Sequence, residues 1–353
     1  MRGLVSVVFT GAMLTSTTVP ESEASAAYNA GTTYAANAYV YVGTVGQALA
    51  VYKSLQASNT NHTPASSPTW WQSMGNVYAE YAGGTTYALG DIIQVAASHR
   101  CYQSLAAGNT GNAVTDTTKW VDYGPTNRWC ALDTLRNTQA VQPSPMTYVI
   151  APGVRCNSLF LGGMVANSAE ITVTSVTGGG TVYHETVDLN TRVVTNWYQY
   201  FFEPFSTRAT LVRWDLPPYL DAIITVTLTS TSGSVSLGAI QTGSYEELGT
   251  ILAPASPGSL NFSSVTRDTY GNATVTQRKG RPTLVCQTKL DSSLMTRVKN
   301  FKTATDAMPT VWAGLTDDTD DFFESLAILG LWKKFDPVIR DGFVEVNFEL
   351  EEI

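Results

Sequence analysis

The chain has 353 residues, more than one hydrophobic core usually serves, so two to four domains are expected. Charged residues make up only 14% of it, against roughly 25% in an ordinary globular chain, and 21 basic against 29 acidic side chains leave a net charge of −8. No Lys/Arg-rich run could track a phosphate backbone, which argues against nucleic acid as a partner, and no stretch reaches the roughly 18 apolar residues of a membrane-spanning helix, so no membrane insertion is expected.

Residues 1–27 begin like a signal peptide, with Arg2, then "LVSVVFTGAML", then "ASA" at Ala24 to Ala26. Thr10 and Gly11 interrupt the apolar run, and Glu21 and Glu23 precede the supposed cut, so the segment is read as an arm or strand of the fold.

Two copies of one unit follow, over 28–76 and 77–124. Aligned on "GTTY", Tyr34 corresponds to Tyr87, and "VYKSLQASNT" matches "CYQSLAAGNT", so that Tyr52 pairs with Tyr102. Eighteen residues beyond each of those tyrosines stands a tryptophan, Trp70 (with Trp71 beside it) and Trp120. Each copy reads as two or three short strands and a long polar loop. A unit of this size buries little surface, so its rings are needed inside and any single one is expected in the core. At least one ring per copy is nevertheless expected at the surface, where an aromatic face can stack on the C–H face of a sugar ring while Asn, Asp and Thr bond the hydroxyls.

The pattern Tyr87, Gly90, Asp91, Ile93, Tyr102, Ser104, Asn109, Gly111 and Trp120 resembles the small chitin- and cellulose-type carbohydrate-binding modules. The first copy departs from it, with Asn37 and Ala38 at the places of Gly90 and Asp91 and Asn61 at that of Gly111. The resemblance implies ligand contacts by Tyr87, Asp91, Tyr102, Asn109 and Trp120, with Tyr52, Trp70 and Trp71 as the counterparts in a copy expected to pack more than bind.

A connector over 125–139 leads to 140–257, where alternating segments such as "MTYVIAPG", "AEITVTSV", "GTVYHETVDL", "DAIITVTLTS" and "SVSLGAIQTG" predict an antiparallel, jelly-roll-like β-sandwich without helices. Residues 258–353 read as an α+β domain. "TRDTYGNATVTQR" is a hairpin, and Asp291 caps a helix with Leu294, Val298 and Phe301 on its buried face. Four strands follow, "PTVWAGL", "ESLAILGLW", "FDPVIR" and "FVEVNFELEEI". The fold class is therefore mostly β and multidomain: two small β repeat modules, the sandwich and the α+β domain.

Chemistry-bearing motifs are absent. Cys101, Cys130, Cys156 and Cys286 form no C-x-x-C and are read as free thiols, and His62, His99 and His184 have no metal spacing. "DDTDDFFE" (Asp317, Asp318, Asp320, Asp321, Glu324) lacks the glycine of a calcium loop and is expected to be a solvated acidic loop. No cofactor, metal or catalytic residue is assigned, and no enzyme is expected.

Taken along its whole length, with "GAMLTSTTVPES", "YNAGTTYAA", "GPTNRWCALD", "WYQYFFEPF", "DLPPY" and "GAIQTGSYEELG", the chain resembles carbohydrate-binding tail or baseplate proteins of long-tailed bacteriophages. That implies a virion (tail) location after assembly in the host cytoplasm, other tail or baseplate subunits as partners, and a host cell-surface glycan as ligand. The alternatives are a secreted polysaccharide-degrading enzyme with accessory modules and an assembly protein without ligand.

Overall fold

The computed structural model describes the chain except residues 25, 137, 192–195, 204, 205, 232 and 321. Its largest element is a curled nine-stranded sheet in the order Thr210–Arg213, Ser158–Gly162, Ala239–Glu247, Arg2–Ser6, Thr310–Ala313, Ala327–Ile339, Phe343–Glu352, Arg281–Asp291, Thr250–Leu260. The second is a five-stranded sheet, Gly180–Asp188, Ser168–Ser175, Ile223–Thr229, Met146–Ile150, Leu14–Thr17.

Alternation along the strands sends neighbouring residues to different cores. Leu159 and Leu161 face the five-stranded sheet and meet Ile171, Val226 and Tyr148, which closes the expected sandwich. Phe160 between them points the other way and joins Leu4, Val212 and Val311. A third core lies inside the curl, where Phe301 of the helix Met295–Ala304 packs on Trp312 and Phe335. Gly3 permits that approach, because a Cβ there would fall 2.3 Å from the Phe301 ring.

Several expectations are changed by these contacts. The boundary placed between 257 and 258 falls within the strand Thr250–Leu260, and sandwich strands and C-terminal strands share the nine-stranded sheet, joined by Arg2–Ser6. "SVSLGAIQTG" divides into Ser234–Leu237 and Ala239–Glu247, which belong to different sheets. "ESLAILGLW" and "FDPVIR" merge into one bulged strand, Ala327–Ile339, after a single helical turn. A helix not foreseen, Trp197–Phe202, interrupts the sandwich region. The acidic loop is only partly solvated: Asp318 is buried against Arg213 at 2.7 Å, and Glu324 accepts the Ala209 and Thr210 amides. Asp321 lies outside the described residues.

The N-terminal arm is built into the molecule at several points. Besides its two strands, it supplies Glu21, buried, which accepts Thr126 Oγ1 at 2.6 Å, contacts His99 Nδ1 at 3.1 Å and pairs with Arg128. Glu23 also pairs with Arg128, which helps hold its carboxyl below the ordinary range against the opposing pull of burial. Cleavage after Ala26 would therefore strip strands from both large sheets. The four cysteines are free, and burial raises the thiols of Cys101 and Cys130 to about 12.

Candidate functional site

The repeats form two small sheets. The first comprises Tyr39–Val42, Leu49–Ser54 and Trp71–Val77; the second comprises Ala79–Glu80, Ile92–Val95, Arg100–Ser104 and Trp120–Pro125. Each is organised round an aromatic triad. Tyr28–Tyr34 centroids are 6.0 Å apart at 25°, Tyr28–Trp71 6.0 Å at 89°, and Tyr34–Trp71 5.2 Å at 71°. Their counterparts, Tyr81–Tyr87, Tyr81–Trp120 and Tyr87–Trp120, stand at 6.2 Å and 24°, 5.9 Å and 89°, and 5.3 Å and 70°.

Hydrogen bonds repeat with the rings. Asn59 Nδ2 donates to Ser54 Oγ at 3.0 Å, and Asn109 Nδ2 to Ser104 Oγ at 3.1 Å. The indole of Trp71 donates to the His62 carbonyl, and that of Trp120 to the Asn112 carbonyl. Asn37 and Gly90 both take positive φ, as do Asn61 and Gly111, so asparagine replaces glycine at equivalent left-handed positions. The register is corrected by one residue: Trp71, not Trp70, is the partner of Trp120, because the loop after His62 is one residue longer than that after Asn112.

These positions settle what each expected ligand residue does in the fold. Trp120 is 2% exposed, Tyr87 1%, and Trp71 and Asn109 are equally sealed, so none offers a face or an amide to a sugar. Asn109 spends its side chain on Ser104, Lys119 and Asn112. Asp91 accepts the Ala88 amide at 2.8 Å and abuts the first repeat, where a Cβ on Gly46 would fall 2.5 Å from its Cγ. Tyr102 is half-buried against the second triad, and Tyr52 is half-buried as well.

Trp70 is different. It is half-exposed, and one face is covered by the His62 ring, stacked at 3.8 Å and 12°. Lys119 and Asn112 occupy the equivalent places in the second repeat, so this ring belongs to the copy expected not to bind.

A second candidate lies between the copies, which are joined by the Ile92 amide donating to the Gly46 carbonyl at 2.8 Å. It is a cleft of about 350 Å³ walled by Tyr41, Val45, Tyr78, Glu80, Thr85 and Gln94. Its apolar floor and few polar groups are typical of ligand sites, whose volumes run from roughly 300 to 1,000 Å³. Burial, aided by the neighbouring Tyr123, raises the Tyr78 phenol to about 12. Sequence reasoning missed this cleft because its walls come from both repeats. It also missed the rings of Trp197–Phe202, where Trp197 is 78% exposed and Tyr198, Tyr200, Phe201 and Phe202 are exposed too. Five aromatics in six residues were the available signal.

Among the described residues no group of His, Cys, Asp and Glu could hold a metal ion. No family model and no curated protein matches the chain. Among solved structures, one similar chain is a selenomethionine-labelled mutant of chitosan-binding module 1 derived from a chitosanase/glucanase of Paenibacillus sp. IK-5. It is 15% identical, the match covers 33% of this chain and 82% of that one, and the TM-score is 0.19. A likeness at that TM-score decides nothing about the ligand of this chain.

Proposed function

We propose that this protein is a non-enzymatic glycan-binding component of a larger assembly, a phage tail tip or baseplate, in which the repeats touch a host-surface glycan and the large sheets serve as the anchor. The observation that carries the reading is Trp70, a half-exposed indole with one face backed by His62 and so held as a flat surface for a sugar ring. The cleft beside Tyr41 and Tyr78 supplies a second place where apolar and polar groups converge. Weak single sites serve a particle with many copies, since avidity raises apparent affinity by about 10² to 10⁴.

The test is a glycan array probed with the full chain, multimerised on streptavidin, beside its Trp70→Ala variant. Binding to a defined set of glycans, lost in the variant, supports the proposal; no glycan bound, or binding unaffected by the variant, overturns it. A second reading, an assembly protein without ligand, is favoured by the exposed rings of Trp197–Phe202, which suit contact with another subunit.

A further inference from the structure

Residues 256–283 form an arm. Thr250–Leu260 and Arg281–Asp291 run antiparallel at one edge of the nine-stranded sheet, and Ser264–Arg267 with Ala273–Thr276 prolongs them as a separate two-stranded ribbon. From Ser256 to Lys279 every residue but Ser263 is exposed. A two-stranded ribbon that packs on nothing is marginal in water. Its faces also differ. Val265 and Val275 are directly paired and share a face with Arg267 and Ala273, while Ser264, Thr266, Thr274 and Thr276 share the other. Phe262, Val265, Val275 and, at the tip, Tyr270 are all exposed.

Charge narrows the choice of partner. Four of the 21 basic residues and one of the 29 acidic ones fall within 256–283, so the arm carries +3 and the remainder of the chain −11. Among the described residues, Arg267, Arg278, Lys279 and Arg281 have no carboxylate partner. The single acid, Asp268, is engaged by the tip turn, where hydrogen bonds from the Asn272 side chain and then its backbone hold the carboxyl below its ordinary value.

The body presents an opposite surface. Asp317 and Asp320 are exposed beside Phe322, which is 69% exposed. We propose that the arm of one copy docks on the acidic surface of Asp317 and Asp320 in a second copy, its cations against those carboxylates and its Val265–Val275 face against Phe322. Pro254 and Pro257 deny the edge strand two amide donors, which favours packing of this face over lengthening of the sheet. Two unlike patches meet in this way either reciprocally, in a two-fold dimer, or head to tail, in a ring or filament. The inference names a partner for the anchor proposed above and makes no use of the sugar site, so either can fail alone.

The test is sedimentation velocity of the full chain at about 100 µM, in 0.1 M and 1 M salt, where the screening length falls from about 10 to 3 Å. Species larger than a monomer are expected at 0.1 M, shrinking towards monomer at 1 M. An Asn-Gly turn joining Leu260 directly to Arg281, which are already paired, should give monomer at both salts. Should that variant fail to fold, Arg267→Glu with Arg278→Glu and Lys279→Glu alters exposed side chains alone and should lower association at least tenfold. Asp317→Asn with Asp320→Asn should weaken it in the same direction. A monomeric full chain at 0.1 M salt, or undiminished association of the arm variants, would overturn the proposal.

Discussion

The two repeats share one aromatic frame and differ in their surfaces, although Tyr87 is sealed while its counterpart Tyr34 is only half-buried. Their triads agree to within 0.2 Å and 1°, and their asparagine and indole hydrogen bonds coincide. Outside that frame the first copy carries Trp70 on His62, where the second carries Lys119 and Asn112. Motif residues that look like ligand contacts are thus largely the structural kit of a unit too small to fold without them, and the variable positions round them are where recognition can differ. In so small a core, a ring cannot both seal the interior and face a ligand.

The largest effect expected is from Trp120→Ala or Trp71→Ala. Each removes a buried ring and should destabilise its own repeat by about 3–5 kcal/mol. Peptide-resolved hydrogen exchange should show the mutated repeat opening while the nine-stranded sheet keeps its protection. Protection lost equally in both regions would mean that the repeats are not separate cooperative units. Gly46→Ala comes next: it forces a side chain into φ +94° and onto Asp91, and should cost about 1–3 kcal/mol, read as faster exchange at the Ile92 amide.

Trp70→Ala should lower glycan affinity at least about tenfold, or 1.4 kcal/mol, with little change in thermal stability. The reverse pattern, lost stability and kept affinity, would assign Trp70 to the core. Asp91→Ala removes the side-chain acceptor of the Ala88 amide and brings the second repeat to the state of Ala38 in the first, for about 1 kcal/mol by thermal melting.

A pH effect separates the repeats from the connector that follows them. Burial holds the Asp133 carboxyl up at about 6, above its ordinary 3.8, even though Thr138 and the Leu135 amide bond it. A raised carboxyl favours the protonated native state, so its contribution is complete below pH about 4 and is lost as pH rises through about 6. Melting temperature should fall across that window, and Asp133→Asn should remove that part of the slope while exchange in the repeats stays unchanged.

Much of this was legible in the sequence. Period-two alternation placed Met146–Ile150, Ser168–Ser175, Ile223–Thr229 and Phe343–Glu352 within a few residues, and Asp291 does cap the helical turn that it precedes, accepting the Ser293 amide. Adjacent tryptophans hid the one-residue shift, since the eighteen-residue spacing picks Trp70, whereas strand register, the indole hydrogen bond and burial pick Trp71. The joining of sandwich and C-terminal strands in one sheet was invisible for another reason: strand pairing between Arg2–Ser6 and residues far down the chain leaves no local pattern. The Trp197–Phe202 helix was missed because, aromatic at all but Gln199, it has no alternation of apolar and polar faces to mark a period.

The placement of Arg2–Ser6 has a consequence for biosynthesis. Its neighbours on either side include Glu247 and Ala313, so Arg2–Ser6 must wait for strands made far later in the chain before the central sheet can close. The repeats, whose contacts are local, can be complete by then, while Arg2–Ser6, with Leu4 and Val5, remains unpaired and open to mispairing with other nascent chains.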